Sequence, residues 1–539
     1  MRLHVVDHLI LVAYLVGMML LGWRLAKRQH SDEEYFLGGR RMPWFAVGVS
    51  LIATLLSSVA YLGTPGVVWR FGFAIFLNTL AGIAITVVLV LFVTIPFFVR
   101  FRFTTAYEYL EHRFSLSVRL LGATLFLLFM TIYMGVIVLL SARALAVATG
   151  LPLVLIIVSV GIVATLYTMM GGIRAVIWTD VIQVALLVGG GLFAIGFVAV
   201  STGSGPLDWI QAVNARANES MPLASLDPTI PATVVTLILG GCLWTLMAHT
   251  ANQTIMQRYF STVDLRAAKR SYLTSAAVDV LLLTLLTVIG ASLIYYFTQG
   301  PGMLPPELDP ASGKDRDGIF PFFVATRIPA GLAGAIFAAL LAASMSTIDS
   351  GVNSFATVAT IDFGRLRKRQ TKNHVVQARV ITLVVGLAVT LFAIFFDRLT
   401  GTADIPTILP KTFNSLAGGM GGLFLAGMLI PRAGSRAVWP AALAGVGTAL
   451  AVAYSGELLR VLGPSAIDLV GAWLSPEFAQ RLAAQGMGFT WIIPSSTLAA
   501  LGTAWLLSFV FPNRDPERVR GLTWSTRREP SSYTGQGQP

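Results

Sequence analysis

Charge is what this sequence has least of. Only 12% of its 539 residues are charged, while 55% are hydrophobic, and the mean hydropathy is +0.75. That is roughly half the charged share usual in a soluble domain. So few charges cannot cover so much apolar surface in water; a bilayer removes the need. Cysteine is almost absent. The lone Cys242 excludes an intrachain disulfide and any cysteine-based metal cluster. There is no Walker A motif, HExxH or GxSxG-type elbow, so the sequence signals of nucleotide hydrolysis, zinc peptidases and α/β-hydrolases are missing. Lys and Arg number 38 against 26 Asp and Glu, a formal net charge of +12. In a soluble protein that excess would point to nucleic acid. Here the basic residues fall in short loops between apolar runs, so membrane orientation explains them and no nucleic acid partner is implied.

What is present is a series of apolar runs long enough to cross a membrane, which takes about 20 residues. Thirteen spans are expected, at roughly 6–26, 43–68, 74–98, 118–148, 152–170, 175–200, 231–258, 272–298, 319–361, 376–396, 405–431, 436–455 and 489–511. The first, in "MRLHVVDHLILVAYLVGMMLLGWRLAKR", is too long for a signal-peptide core and is followed by no A-x-A site. The run at 319–361 exceeds one crossing and should begin as an interfacial segment. With the N-terminus outside, 27 basic residues face inward and 11 outward, as the positive-inside rule requires. That puts the C-terminus in the cytoplasm of a multi-pass plasma (inner) membrane protein. Residues 456–488 are weakly amphipathic and should lie along the outer interface. The polar tail after Phe511 is expected to be disordered.

Three segments mix polar and apolar residues where a plain span would not. In "SLIATLLSSVAYLGTPG" (50–66), Thr54, Ser57, Ser58, Gly63 and Pro65 interrupt an apolar run. Unwound backbone inside a membrane is tolerated where it lines a cavity, and broken helices mark transporter binding sites; a kink without function is the plainer alternative. In "AALLAASMSTIDSGVNSFATVATIDF" (338–363), Ser346, Asp349, Ser350 and Asn353 share one helix face, with Thr347 at its edge. Hydroxyls, a carboxylate and an amide make a hard oxygen surface suited to hard cations. An intramembrane carboxylate points to function, against polar contact between helices as the alternative. In "GGIRAVIWTDVIQ" (171–183), Asp180 lies a few residues into a span beside Thr179 and Gln183, as a ligand or as an interfacial carboxylate paired with a loop arginine.

These segments, with "EEYFLGGRRMPW" (33–44), "TAYEYLEHRF" (105–114), "NQTIMQRYF" (252–260) and "GGLFLAGMLIPRA" (421–433), resemble the signatures of the sodium:solute symporter family, in order from about residue 31 to 433. The wording is similar to the branch with iodide, multivitamin, monocarboxylate and bacterial sialic acid carriers. The resemblance implies an all-α polytopic membrane protein of about thirteen transmembrane helices with a LeuT-like core of two inverted five-helix repeats, whose first and sixth helices are broken. It divides the chain into an extra helix in 1–30, repeats at 43–200 and 231–431, two further helices and an outer loop at 436–511, and a cytoplasmic tail at 512–539.

It further implies sodium as the coupling ion and a small organic solute as cargo, moved by alternating access in a protein that is not an enzyme. By position, the family's sodium site falls on the carbonyls of Ala53, Leu56 and Ala343 and the hydroxyls of Ser346 and Thr347. A second cation site of some members falls on Asp180, Asp349 and Ser350; Asp349 departs from the hydroxyl usual there. The substrate cavity falls on Leu55, Ser57 and Ala60 on one side and on Trp244, Thr245, Ala248, His249 and Asn252 on the other. Lys411 opens the tenth core helix, where it could attract an anion or snorkel to the interface. The branch resemblance and a modestly polar cavity favour a monocarboxylate over a sugar or inositol, and sialic acid is lowered because no arginine matches the one expected to bind its carboxylate. An embedded enzyme or a channel would need a nucleophile–base pair or a filter loop, and neither is visible.

Overall fold

A computed structural model describes residues 3–26, 31–56, 58–216, 221–225, 227–230, 232–305, 308, 318–366, 374–400 and 405–530. Helix α1 (Val5–Ala26) is followed by a short α2 (Asp32–Leu37). The first half of the core contains α3 (Trp44–Leu55), α4 (Ser58–Phe71), α5 (Ala74–Leu89), α6 (Ile95–Phe98), α7 (Glu108–Arg113), α8 (Leu116–Thr149) and α9 (Leu153–Thr202). After α10 (Pro206–Asn214), the second half holds α11 (Val234–Ala251), α12 (Gln253–Phe260), α13 (Leu265–Thr298), α14 (Ile319–Arg327), α15 (Leu332–Ile361), α16 (His374–Thr400) and α17 (Ile405–Leu429). Last come α18 (Ser435–Ala453), α19 (Ser455–Leu462), α20 (Pro464–Trp473), α21 (Pro476–Gln485) and α22 (Ile492–Val510). Among the described residues the extended pairing is a single bridge, Ala433 to Pro512.

Among the described residues ten helices are long and apolar enough to cross a membrane, and the bent pair α3–α4 makes an eleventh. Helix α9 runs 50 residues, about 75 Å at 1.5 Å per residue, far beyond a hydrocarbon core of about 30 Å. It breaks at Gly172, whose φ of 54° and ψ of −157° only glycine adopts readily. A Cβ there would also lie 2.6 Å from the Tyr35 carbonyl oxygen. Dividing α9 at Gly172 and adding α17 recovers the thirteen expected spans. The long run at 319–361 resolves, as anticipated, into short α14 and crossing α15.

Two further helices are broken, near the bundle centre. Helix α3 ends at Leu56, which takes extended angles (φ −79°, ψ 105°), and the chain bends by 64° into α4. Helix α11 ends at Asn252, again extended (φ −86°, ψ 110°). Its side-chain oxygen accepts a 2.9 Å hydrogen bond from the Thr254 N–H and so caps α12.

Nearly all of α15 is buried, packed against α9, α8, α16, α1 and α3. Helix α1 holds its N-terminus: Asp7 Oδ1 accepts 2.7 Å hydrogen bonds from the N–H groups of Gly331 and Gly334. Those are otherwise orphan donors at the positive end of the α15 dipole. The outer stretch forms α19–α21, whose Val461, Leu462, Trp473 and Leu474 are exposed, as suits a segment lying on a bilayer.

The C-terminal tail corrects the expectation of disorder. Up to Pro530 it folds back onto the bundle, with Leu522 and Thr523 fully buried. The Tyr109 hydroxyl donates to the Leu522 carbonyl at 2.9 Å, and the Trp524 N–H donates to the Met428 carbonyl at 2.8 Å. Composition misled here because a few apolar residues, Leu522 and Trp524, outweigh a polar surround once they find a groove.

Candidate functional site

The break after α3 frees backbone carbonyls in the bundle centre, and α15 brings its hydroxyl stripe against them. Ser346 Oγ donates 2.8 Å to the Ala53 carbonyl and lies 3.1 Å from that of Ala343. Thr347 Oγ1 lies 3.4 Å from the same Ala343 oxygen. Ser346, Thr347, Ala53 and Ala343 are all buried, and Leu56 sits at the break itself. Two hydroxyls and two carbonyls therefore converge from separate helices. Such neutral oxygens satisfy one another when no ion is present, and their lone pairs can turn to a hard cation.

A second polar cluster lies further along the same α15 face. Asp180 on α9, Ser50 on α3, Ser350 on α15 and Arg258 on α12 meet at one point, all fully buried. The Arg258 guanidinium reaches Asp180 Oδ2 at 2.9 Å, Ser350 Oγ at 2.5 Å, Ser50 Oγ at 2.7 Å and the Thr254 carbonyl at 2.6 Å. Ser50 also donates to Asp180 Oδ2, at 2.5 Å. Asp349 is the next residue along and receives only hydroxyls. The Tyr167 hydroxyl donates to its Oδ2 at 2.6 Å and Thr179 lies at 3.3 Å. Ser350 lies 3.2 Å from its Oδ1. One guanidinium faces two carboxylates, so one negative charge is uncompensated when both are ionised. Asp180 Oδ1 and both amide atoms of Asn353 have no partner among the described residues.

Arg258 is the residue that sequence reasoning missed. It closes the span expected at 231–258, where the basic stretch "QRYFSTVDLRAAKR" (257–270) begins, and so reads as a charge of the inward loop. Its position two turns past the Asn252 break, opposite a lone intramembrane aspartate, was the available signal. The alternative partner for Asp180, a loop arginine, is replaced by one inside the bundle. For Asp349 no Lys or Arg pairs with it among the described residues.

The proposed cavity residues divide. Leu55, Ala60, Trp244 and Thr245 are half-buried beside the breaks, and Ala248 is buried. Ser57 lies outside the described residues. His249 turns away: its Nδ1 is 2.6 Å from the Tyr259 hydroxyl and its ring sits edge-on to Tyr272. It is thus a satisfied core residue, the plainer of its two readings. Asn252 is occupied in capping α12. Lys411 does not stand free; its Nζ is 3.0 Å from Glu457 on α19.

At the other end of α15 an ion-pair network joins it to α7 and α8. Arg119 binds Asp362 and Glu111, each at 2.6 Å, and Arg365 binds Glu111 at 3.0 Å. Burial pushes the Glu111 carboxyl up, but the two arginines outweigh it and hold the group below its ordinary value.

The sequence profile of the sodium:solute symporter family matches residues 35–445. A sodium/sialic acid symporter of Proteus mirabilis (strain HI4320) is 32% identical over 494 residues, covering 89% of this chain and 97% of that protein. A Na+-coupled sialic acid symporter solved in a substrate-bound outward-open state superposes with a TM-score of 0.79 at 27% identity, over 95% of this chain and 99% of that one. A nucleobase-cation-symport-1 family transporter shares the fold, with a TM-score of 0.54 at 16% identity over 91% and 98% of the two chains.

Proposed function

Because the chain belongs to the sodium:solute symporter family and is a sodium-coupled solute symporter rather than an enzyme, we propose that its cargo is an acidic sugar of the sialic acid type. The observation that carries this is the likeness to the Proteus symporter along 97% of that protein's length. It reverses the order reached from sequence alone, where a simple monocarboxylate stood first and sialic acid was lowered for want of a matching arginine. No cavity residue named above is cationic. The carboxylate of such a solute would instead meet the N-terminal ends of α4 and α12, where peptide dipoles supply partial positive charge. Trp244 and Thr245 offer an indole N–H and a hydroxyl to the sugar ring.

In the proposed cycle, sodium binds the carbonyls of Ala53, Leu56 and Ala343 with the hydroxyls of Ser346 and Thr347. Ion and solute then stabilise the same outward-facing state, and their coupling is a free energy between neighbouring sites. In proteoliposomes with an inward sodium gradient, labelled N-acetylneuraminate is expected to accumulate, and to stop when the gradient is removed. Sodium-driven accumulation of pyruvate or myo-inositol, without N-acetylneuraminate, would refute the assignment.

The uncompensated charge beside Arg258 supports a second cation held by Asp180, Asp349 and Ser350. Two sodium ions with one monoanionic solute move one net charge inward, worth about 2.3 kcal/mol per 100 mV. The sodium Hill coefficient of uptake is expected to exceed one in the wild type and to fall towards one in Asp349→Ala, with transport partly kept. A wild-type coefficient of one, with reversal potentials giving one sodium per solute, would end the two-cation reading.

A further inference from the structure

Away from the ion sites, four chain segments enclose a cavity of about 490 Å³ at the loop end of the bundle. Arg40 follows α2, Arg100 and Arg102 follow α6, residues 259–265 join α12 to α13, and Arg527 to Pro530 of the tail close the remaining side. All four belong to the basic segments that the positive-inside rule assigns to the cytoplasm. The lining holds five arginines against two carboxylates, Asp264 and Glu529. One Asp264 oxygen is already used, capping α13 through a 2.6 Å bond from the Ala267 N–H. With Arg40 also paired to Glu33, two positive charges remain in excess within a concave surface, which concentrates their field.

The arginines fall into two sets. Arg40, Arg100 and Arg527 are fixed by backbone carbonyls. Arg40 donates to the Arg102 carbonyl at 2.8 Å and pairs with Glu33 at 2.9 Å. Arg100 donates to the Gly521 carbonyl at 2.6 Å and to that of Arg527, its guanidinium lying 4.5 Å from the centre of the Phe101 ring. Arg527 donates to the Trp524 carbonyl at 2.7 Å. The side chains of Arg102 and Arg528, by contrast, make no hydrogen bond or ion pair among the described residues. Arg40 and Arg102 are also, among the described residues, the two non-glycine positions with left-handed backbone, φ 52° and 50°, a conformation uncommon for such residues. Burial holds Arg40 below its ordinary value, and the neighbouring charge of Arg102 adds to that.

We propose that this cavity binds a phosphate-bearing anion, clamped between the inner end of the bundle and the C-terminal tail. Guanidinium forks match phosphate oxygens in pairs, and Arg102 and Arg528 have forks not already engaged by the fold. Two sources share this chemistry. One is the headgroup of an anionic lipid, since Val263 and Leu265 beside the arginines are 63% and 41% exposed and would meet acyl chains. The other is a soluble polyphosphate. The inference does not rest on the nature of the transported solute.

The test uses full-length protein in neutral detergent, with phosphatidylglycerol, phosphatidylcholine and inorganic pyrophosphate as probes and native mass spectrometry as readout. Arg102→Gln with Arg528→Gln is compared with wild type and with Arg24→Gln plus Arg436→Gln, which removes the same charge elsewhere. Saturable phosphatidylglycerol binding, about thirtyfold weaker in the cavity variant alone, identifies a lipid site. Pyrophosphate binding with the same dependence on the two arginines identifies a soluble ligand. Binding of neither probe to wild type, or equal binding to wild type and cavity variant, overturns the proposal. Neither arginine bonds to the rest of the fold, so the variant is expected to elute and melt as wild type does.

Discussion

Arg258→Ala is expected to abolish most of the folded protein. The guanidinium is fully buried and is the one cation bonded to Asp180 among the described residues. Its removal leaves Asp180 and Asp349 in the bundle with hydroxyl partners only. Breaking one side of a buried ion pair costs about 3–5 kcal/mol, a large share of a total stability on the order of 5–15 kcal/mol. Arg258→Lys should rescue little, because a single ammonium cannot reach Ser50, Asp180 and Ser350 as the planar fork does. The check is folded yield and melting temperature of detergent-solubilised protein. Adding Asp180→Asn to Arg258→Ala should recover part of the loss, since it removes the unpaired charge. Wild-type melting of Arg258→Ala would show that the pair contributes nothing to the fold.

The second large effect is on sodium. Ser346→Ala and Thr347→Ala should each raise the sodium concentration for half-maximal uptake, roughly ten- to a hundredfold. Each deletes one oxygen ligand, and a bond to a charged group is worth about 1.5–3 kcal/mol, with tenfold per 1.4 kcal/mol. Folded yield should barely change. Alanine is a good helix former, and the Ser346 hydroxyl gives up one ordinary hydrogen bond, to the Ala53 carbonyl. Unchanged sodium dependence in both variants, with solute uptake intact, would remove the site from these residues.

The two effects differ in kind although Arg258, on α12, meets α15 at Ser350, one turn from Ser346. Ser346 and Thr347 are the proposed neutral ligands, and their loss should be felt when the ion arrives. Arg258 is a fixed charge whose loss is felt as the chain folds. Asp349 stands between them: its hydroxyl partners Tyr167, Thr179 and Ser350 supply hydrogen bonds but no charge, so the cation proposed there would be read in stoichiometry rather than in yield.

Hydropathy, loop charge and helical spacing determined most of the architecture by themselves. Apolar runs of fixed length and a strongly asymmetric distribution of Lys and Arg set the spans, because a bilayer tolerates no other arrangement. The stripe Ser346, Asp349, Ser350, Asn353 was legible because helical periodicity is local. The first break was legible in the polar run within 50–66, although Pro65 itself lies inside α4; the second was expected from the family resemblance alone. Only the tertiary structure decided the partners. That Arg258 faces Asp180, 78 residues away in sequence, that His249 turns into a tyrosine pair, and that Leu522 carries a polar tail back to Tyr109 all depend on which helices pack together. Charge pairing and burial are pairwise quantities between distant segments, and no single stretch of sequence contains both members.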